Sequence, residues 1–99
     1  MPIISQKATI SGFISDANSG EKMIQATVID MKTGQGTSTN LYGFYSLTIP
    51  EGEVELRFSF VGYKTVVKKI RLDSSVSINI ELRENNTLKE FTVVASEAE

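Results

Sequence analysis

Three groups of side chains in this sequence have the types and spacing for chemistry. Glu51, Glu53 and Glu55 alternate along one extended run, so Glu51 with Glu53, or Glu53 with Glu55, share a face as an acid/base pair would. Such a pair works when burial or a neighbour drives the two pKa values apart. The opposite face holds Val54, Leu56 and Phe58, so the glutamates fall on the solvated side, with no apolar pocket to raise either one. Asp16, Asn18 and Asn40 are hard oxygen donors in turn-rich stretches and suit calcium by type, yet turn capping needs the same residues and their spacing matches no ligand loop. Tyr42, Phe44 and Tyr63 offer aromatic faces either to a ligand such as a sugar or to packing at a fold edge or against a neighbouring domain.

What is missing narrows the field further. The chain has no histidine and no cysteine, which removes Ser-His and Cys-His nucleophiles and the common zinc and iron ligand sets. Its glycines form no phosphate cradle ahead of a helix. The expectation is a non-catalytic protein with no catalytic residue, no cofactor and no metal site. A net charge of -2 from 12 acidic and 10 basic residues does not point to nucleic acid. The one basic cluster, Lys68-Lys69-Arg71, fits exposed positions of a strand.

The elements that must position these groups are strands. Ninety-nine residues make one domain with a thin core, and no run approaches the roughly 18 apolar residues of a membrane-spanning helix. The organising stretch runs from Thr39 to Pro50: Asn40 and Gly43 suit a tight turn, and Tyr45, Leu47 and Ile49 face a core until Pro50 ends the ladder. Before it come Thr9–Ser15, with Ile10, Gly12 and Ile14 on one face, then Met23–Asp30, with Ala26 and Val28 inward, then a short polar edge at Gly36–Thr39. After it, Val54, Leu56, Phe58 and Phe60 alternate cleanly. Thr65–Leu72 follows, where Lys68 breaks the pattern as a bulge or an edge strand would, and Val76–Leu82 is last. Seven short strands at about ten-residue spacing, with no helical periodicity, predict an all-β Greek-key sandwich, transthyretin-like or immunoglobulin-like. Residues 1–7 are expected as a disordered lead-in, 8–86 as the sandwich and 87–99 as a tail.

Within that tail, Phe91-Thr92-Val93-Val94-Ala95 has strand propensity but no place in the core. It is an added edge strand, an aggregation hazard or a segment that pairs with another protein's sheet.

The pattern Ile10-x-Gly12-x-Ile14-x-Asp16, Ser19-Gly20-Glu21, Ala26-Thr27-Val28, Gly36-Thr37-x-Thr39-Asn40-x-x-Gly43-x-Tyr45-Ser46-Leu47 and Val61-Gly62-Tyr63 resembles the carboxypeptidase regulatory-like domain. In particular it resembles the version found as the N-terminal extension of SusC-like TonB-dependent outer-membrane receptors. The resemblance covers about residues 8–95 and implies a seven-stranded transthyretin-like sandwich. The tail from Leu88 to Ser96 is similar to the segment leading into the plug of such receptors, which makes Glu90, Phe91, Thr92, Val93, Val94 and Ala95 the residues of a TonB box. That box would add as a strand to the C-terminal domain of TonB. Three departures stand out: Asn40 replaces the usual acidic turn residue, Gln25 a usual glycine, and Phe91 a commoner valine.

The resemblance therefore implies a periplasmic docking, spacer or regulatory module on the outer membrane, in a receptor importing glycans, siderophores or similar nutrients. Its partners would be TonB, the receptor's own plug and barrel, and a surface lipoprotein. The sequence would be a segment of a longer exported protein. The alternative is an accessory carbohydrate-binding or spacer module of a secreted enzyme or surface adhesin. A small transthyretin-like hydrolase is disfavoured, because that chemistry relies on histidines absent here.

Overall fold

The computed structural model describes residues 6–85, and among them every regular element is a strand. These are β1 (Lys7–Asp16), β2 (Thr27–Asp30), β3 (Gly36–Ser38), β4 (Phe44–Pro50), β5 (Gly52–Ser59), β6 (Val66–Leu72), β7 (Val76–Ser77) and β8 (Ile80–Leu82). The all-β sandwich is as expected. There are eight strands rather than seven only because the last expected strand, 76–82, divides at Ile78-Asn79 into β7 and β8.

Two sheets face each other. In one, β4 lies beside β1, and the far side of β1 pairs with β7 and β8; the other has the order β3-β2-β5-β6. β1 and β4 run antiparallel from Lys7↔Pro50 to Phe13↔Phe44, whereas β7 and β8 run parallel to β1. Neighbours such as β1 with β4 and β2 with β5 are not consecutive, so connections cross between sheets in the Greek-key manner. Period-two alternation sets the inner faces: Ile10, Ile14, Tyr45, Leu47 and Ile49 from one sheet meet Val28, Leu56, Phe58 and Leu72 from the other, all buried. Each large side chain buried this way contributes about 1.5–3 kcal/mol.

The division of the last strand has a specific cause. Gly12 lies on the inner face of β1, and a Cβ there would sit 1.9 Å from the Ile78 carbonyl oxygen. Glycine lets the last strand dip inward. The dipping peptide stays bonded at both ends: Ile78 N–H donates to Ser11 O at 2.7 Å, and the Tyr45 hydroxyl donates to Ile78 O at 2.8 Å. Asn79 then replaces a ladder carbonyl, its Oδ1 accepting from Phe13 N at 2.9 Å. Tyr45 is 1% exposed and packs edge-on to Phe58, with ring centroids 5.7 Å apart. Burial pushes its hydroxyl pKa up to about 12.

Two further strands differ from expectation by more than a residue or two at their ends or in burial. The second begins at Thr27 rather than Met23, because Gln25 adopts φ +69°, which ends an extended run and costs a non-glycine residue about 1–2 kcal/mol. Thr39, expected as part of a polar edge, is instead buried and holds that turn together. Its Oγ1 accepts from Ala26 N at 2.9 Å and donates to Met23 O at 2.5 Å, while its N–H donates to Ala26 O at 2.8 Å. Of the two explanations for Lys68, the edge is correct: β6 is an edge strand with unbroken register from Gly52↔Leu72 to Phe58↔Val66.

Gly12→Ala is expected to cost about 3 kcal/mol or more, since the methyl meets backbone rather than a movable side chain, and a urea midpoint measures it. Tyr45 titrates near 10.0 when unconstrained and near 12 in the fold, so its contribution is complete below pH 10 and lost as pH rises through 12. Tyr45→Phe is expected to cost about 1 kcal/mol at neutral pH and to flatten that alkaline decline in a series of thermal melts.

Candidate functional site

Of the oxygen donors that suit calcium by type, Asp16 and Asn40 are engaged within their own turns, and Asn18 gives its backbone N–H to Asp16 Oδ1 at 3.4 Å. Asp16 ends β1 and Asp30 ends β2, and each opens the same five-residue turn, Asp16-Ala17-Asn18-Ser19-Gly20 and Asp30-Met31-Lys32-Thr33-Gly34. In each, the hydroxyl of the fourth residue donates to the aspartate Oδ2 at 2.7 Å, and the glycine N–H returns to the aspartate carbonyl, at 2.8 Å from Gly20 and 2.7 Å from Gly34. Gly20 at φ +78° and Gly34 at φ +82° permit the turn. Both aspartates are buried. The Ser19 hydroxyl, opposed by burial and helped by the Asn18 and Ser19 amides, holds the Asp16 carboxyl below its ordinary pKa.

Asn40 caps a different turn. Its Oδ1 accepts from Tyr42 N at 2.8 Å and Phe44 N at 3.1 Å, and Gly43 N–H donates to Asn40 O at 2.9 Å. Asparagine therefore does here what an acidic residue would do. Among the described residues, no group of three His, Cys, Asp or Glu is placed to hold a metal ion.

The glutamates lie on the solvated face. Glu53 faces Arg71 across β5 and β6 at 3.8 Å, both exposed, and Arg71 also reaches Asp73 at 3.4 Å, which draws Arg71 of the basic cluster into surface ion pairs. It is the backbone carbonyls of Glu53 and Glu55 that engage the next loop, accepting from Lys32 Nζ at 3.0 Å and Met31 N at 2.8 Å. Glu51 is exposed at the bend joining β4 to β5.

The three aromatic residues are divided between separate contacts. Phe44 packs against Phe13, centroids 5.2 Å apart, with the Lys22 ammonium 4.9 Å from the Phe13 ring. Tyr42 stands exposed beside Leu41 at the tip of the Asn40 turn. Tyr63 packs against Phe60 at 5.6 Å. Phe13 and Lys22 escape a sequence reading, because only the Phe13↔Phe44 register brings the first two rings together.

Glu90, Phe91, Thr92, Val93, Val94 and Ala95 lie outside the described residues. The segment that leads toward them is fixed. Residues 83–85 run antiparallel to 62–64, with a bridge at Tyr63↔Glu84, Lys64 N–H donating to Arg83 O at 2.9 Å and Asn85 N–H to Gly62 O at 2.8 Å. Gly62 at φ +86° closes the Phe60–Tyr63 turn, whose Tyr63 N–H donates to Phe60 O at 2.9 Å. Burial raises the Tyr63 hydroxyl pKa, with Asp16, Glu84 and Glu21 adding to it. Because β8 runs parallel to β1, the chain leaves the sandwich at the end opposite Lys7.

Residues 10–94 match the CarboxypepD_reg-like domain family. TonB-dependent receptor P3 of Formosa agariphila is 23% identical over 90 residues, 91% of this chain and 9% of that protein. TonB-dependent receptor P26 of the same organism is 34% identical over 85 residues, 86% of this chain and 8% of that protein. The chain thus spans under a tenth of the length of either receptor. Among solved structures, the group B streptococcus pilus 2b backbone protein is similar with a TM-score of 0.64 at 14% identity, over 83% of this chain and 43% of that one. The minor pilin GBS52 of Streptococcus agalactiae gives 0.54 at 13% identity, over 84% and 47%. These likenesses concern the sandwich fold alone.

Since the Asp16 pKa is depressed in the fold, its contribution is present above pH 3.8 and lost as pH falls through the lowered value. Asp16→Asn is expected to flatten the acid limb of the stability curve, and Ser19→Ala to flatten it in part. Thermal melts from pH 6 to pH 2 (about the range in which carboxylates titrate) provide the check.

Proposed function

The chain belongs to the CarboxypepD_reg-like domain family, and from that premise we propose that it is the N-terminal extension of a TonB-dependent outer-membrane receptor. It lies on the periplasmic side, between the energy-transducing complex and the receptor's own plug and barrel, and serves nutrient import without catalysing a reaction. The observation that carries this reading is the match of 91% and 86% of the chain to two TonB-dependent receptors, over 9% and 8% of their length. One module of a much larger transporter is the arrangement that such proportions fit.

The geometry supports a module inserted in series. The chain enters at Lys7 at one end of β1 and leaves beyond Leu82 at the other, so whatever precedes and follows is held apart by the length of the sandwich. Ten residues of β1 at about 3.3 Å each span about 30 Å. The residues that do the binding are those of the tail, Glu90 to Ala95, whose main-chain donors and acceptors pair with an edge of the TonB C-terminal domain. The last described residues before it, 83–85, are tied to 62–64.

A peptide spanning Leu88 to Ser96 is expected to bind the C-terminal domain of the cognate TonB in titration calorimetry. Val93→Pro removes a ladder N–H and is expected to abolish the binding heat. Equal binding by both peptides would overturn strand addition.

A further inference from the structure

We propose that this domain is a load-bearing link whose first and last strands form a shear clamp. β1 and the β7–β8 pair are parallel neighbours, and the chain enters at the start of β1 and leaves past the end of β8. Tension between the two ends therefore drags β1 and β7–β8 in opposite directions along their shared axis. Every bond between them is strained together instead of one after another. The parallel pairing covers Ile10↔Val76, Ser11↔Ser77, Ile14↔Ile80, Ser15↔Glu81 and Asp16↔Leu82, and the Ile78 N–Ser11 O bond at 2.7 Å and the Ala17 N–Leu82 O bond at 2.9 Å lie on the same line.

Two further features suit a clamp. Where the last strand leaves ideal geometry, side chains replace the missing acceptors: Asn79 Oδ1 takes Phe13 N at 2.9 Å and Ser75 Oγ takes Thr9 N at 3.0 Å. The Ile78 carbonyl also sits in the gap left by Gly12, within 1.9 Å of where a Cβ would stand. Under tension the last strand slides toward the Ile14 end of β1, which drives that carbonyl out of the glycine gap and against a large buried side chain. The strands are keyed as well as bonded. By contrast, β5 and β6 form an antiparallel pair whose open ends are Gly52 and Leu72, and tension across those ends opens the bonds singly.

The clamp's use rests on the receptor reading, since only a pulled module needs it; the clamp itself does not. Forced rupture reports the unfolding rate along the pulled direction rather than equilibrium stability. The test stretches the 99-residue chain in optical tweezers in two ways: through handles at its termini, and through handles on Glu51→Cys and Asp73→Cys, which are unique attachment points because the chain has no cysteine. The first geometry is expected to rupture at several-fold higher force. Asn79→Ala is expected to lower only the terminal force, and Ile70→Ala in β6 only the hairpin force. Equal rupture forces in the two geometries would overturn the clamp, as would a terminal force that falls equally in both variants once matched for urea stability. Failure of the tail peptide to bind TonB would remove strand addition by the tail and leave this result intact.

Discussion

The contact on which the sandwich depends is the approach of the Ile78 carbonyl to Gly12. Backbone so close to backbone is possible at that point only without a side chain, and it brings a polar group toward an apolar interior. The Tyr45 hydroxyl makes this tolerable by donating to Ile78 O, and the ring that delivers it fills the space beside Phe58. Three distant residues are thereby committed to one another. The inward dip divides the last strand, Asn79 completes the ladder on the far side of the bend, and β1 is left with partners along both edges.

Polar residues elsewhere show a consistent economy. Asp16, Asp30, Thr39 and Asn40 could each be mistaken for ligand-binding groups by type, but the oxygens of Asp16, Asp30 and Asn40 accept from amides and hydroxyls of their own turns, and the Thr39 hydroxyl bonds the backbone of Met23 and Ala26. Buried donors left without acceptors would cost about 1–3 kcal/mol each, and these side chains meet that demand at the joints between sheets. The same Asp-x-x-Ser/Thr-Gly solution appears at the ends of β1 and β2 because both strands must turn sharply back at the edge of the sandwich.

The polar groups with shifted pKa values, Asp16, Tyr45 and Tyr63, owe the shifts to turn bonding or burial, and the aromatic contacts are spread over separate pairs. What the fold does offer is direction. Parallel terminal strands bring the chain in at one end and carry it to the other, where residues 83–85 are braced against 62–64. The two receptors that it resembles are matched over under a tenth of their length, and in the proposed setting that geometry is what adjoining segments would use.

The sequence by itself determined which residues face the core, because alternation is a local property of extended backbone: Tyr45, Leu47 and Ile49, and likewise Val54, Leu56 and Phe58, are legible without knowing their partners. It also determined the turn at Asn40-Gly43 and, through motif order, the family, whereas it left Lys68 to a bulge or an edge and only the sheet order made β6 an edge strand. The tail segment proposed to bind rests on sequence still, as it lies beyond the described residues. Tertiary structure alone decided why Gly12 is glycine, why Thr39 is buried, why Gln25 ends a strand early, and that Phe13 belongs with Phe44. Each depends on a residue far along the chain, and no local pattern records which backbone will approach a given side chain once the sheets have closed.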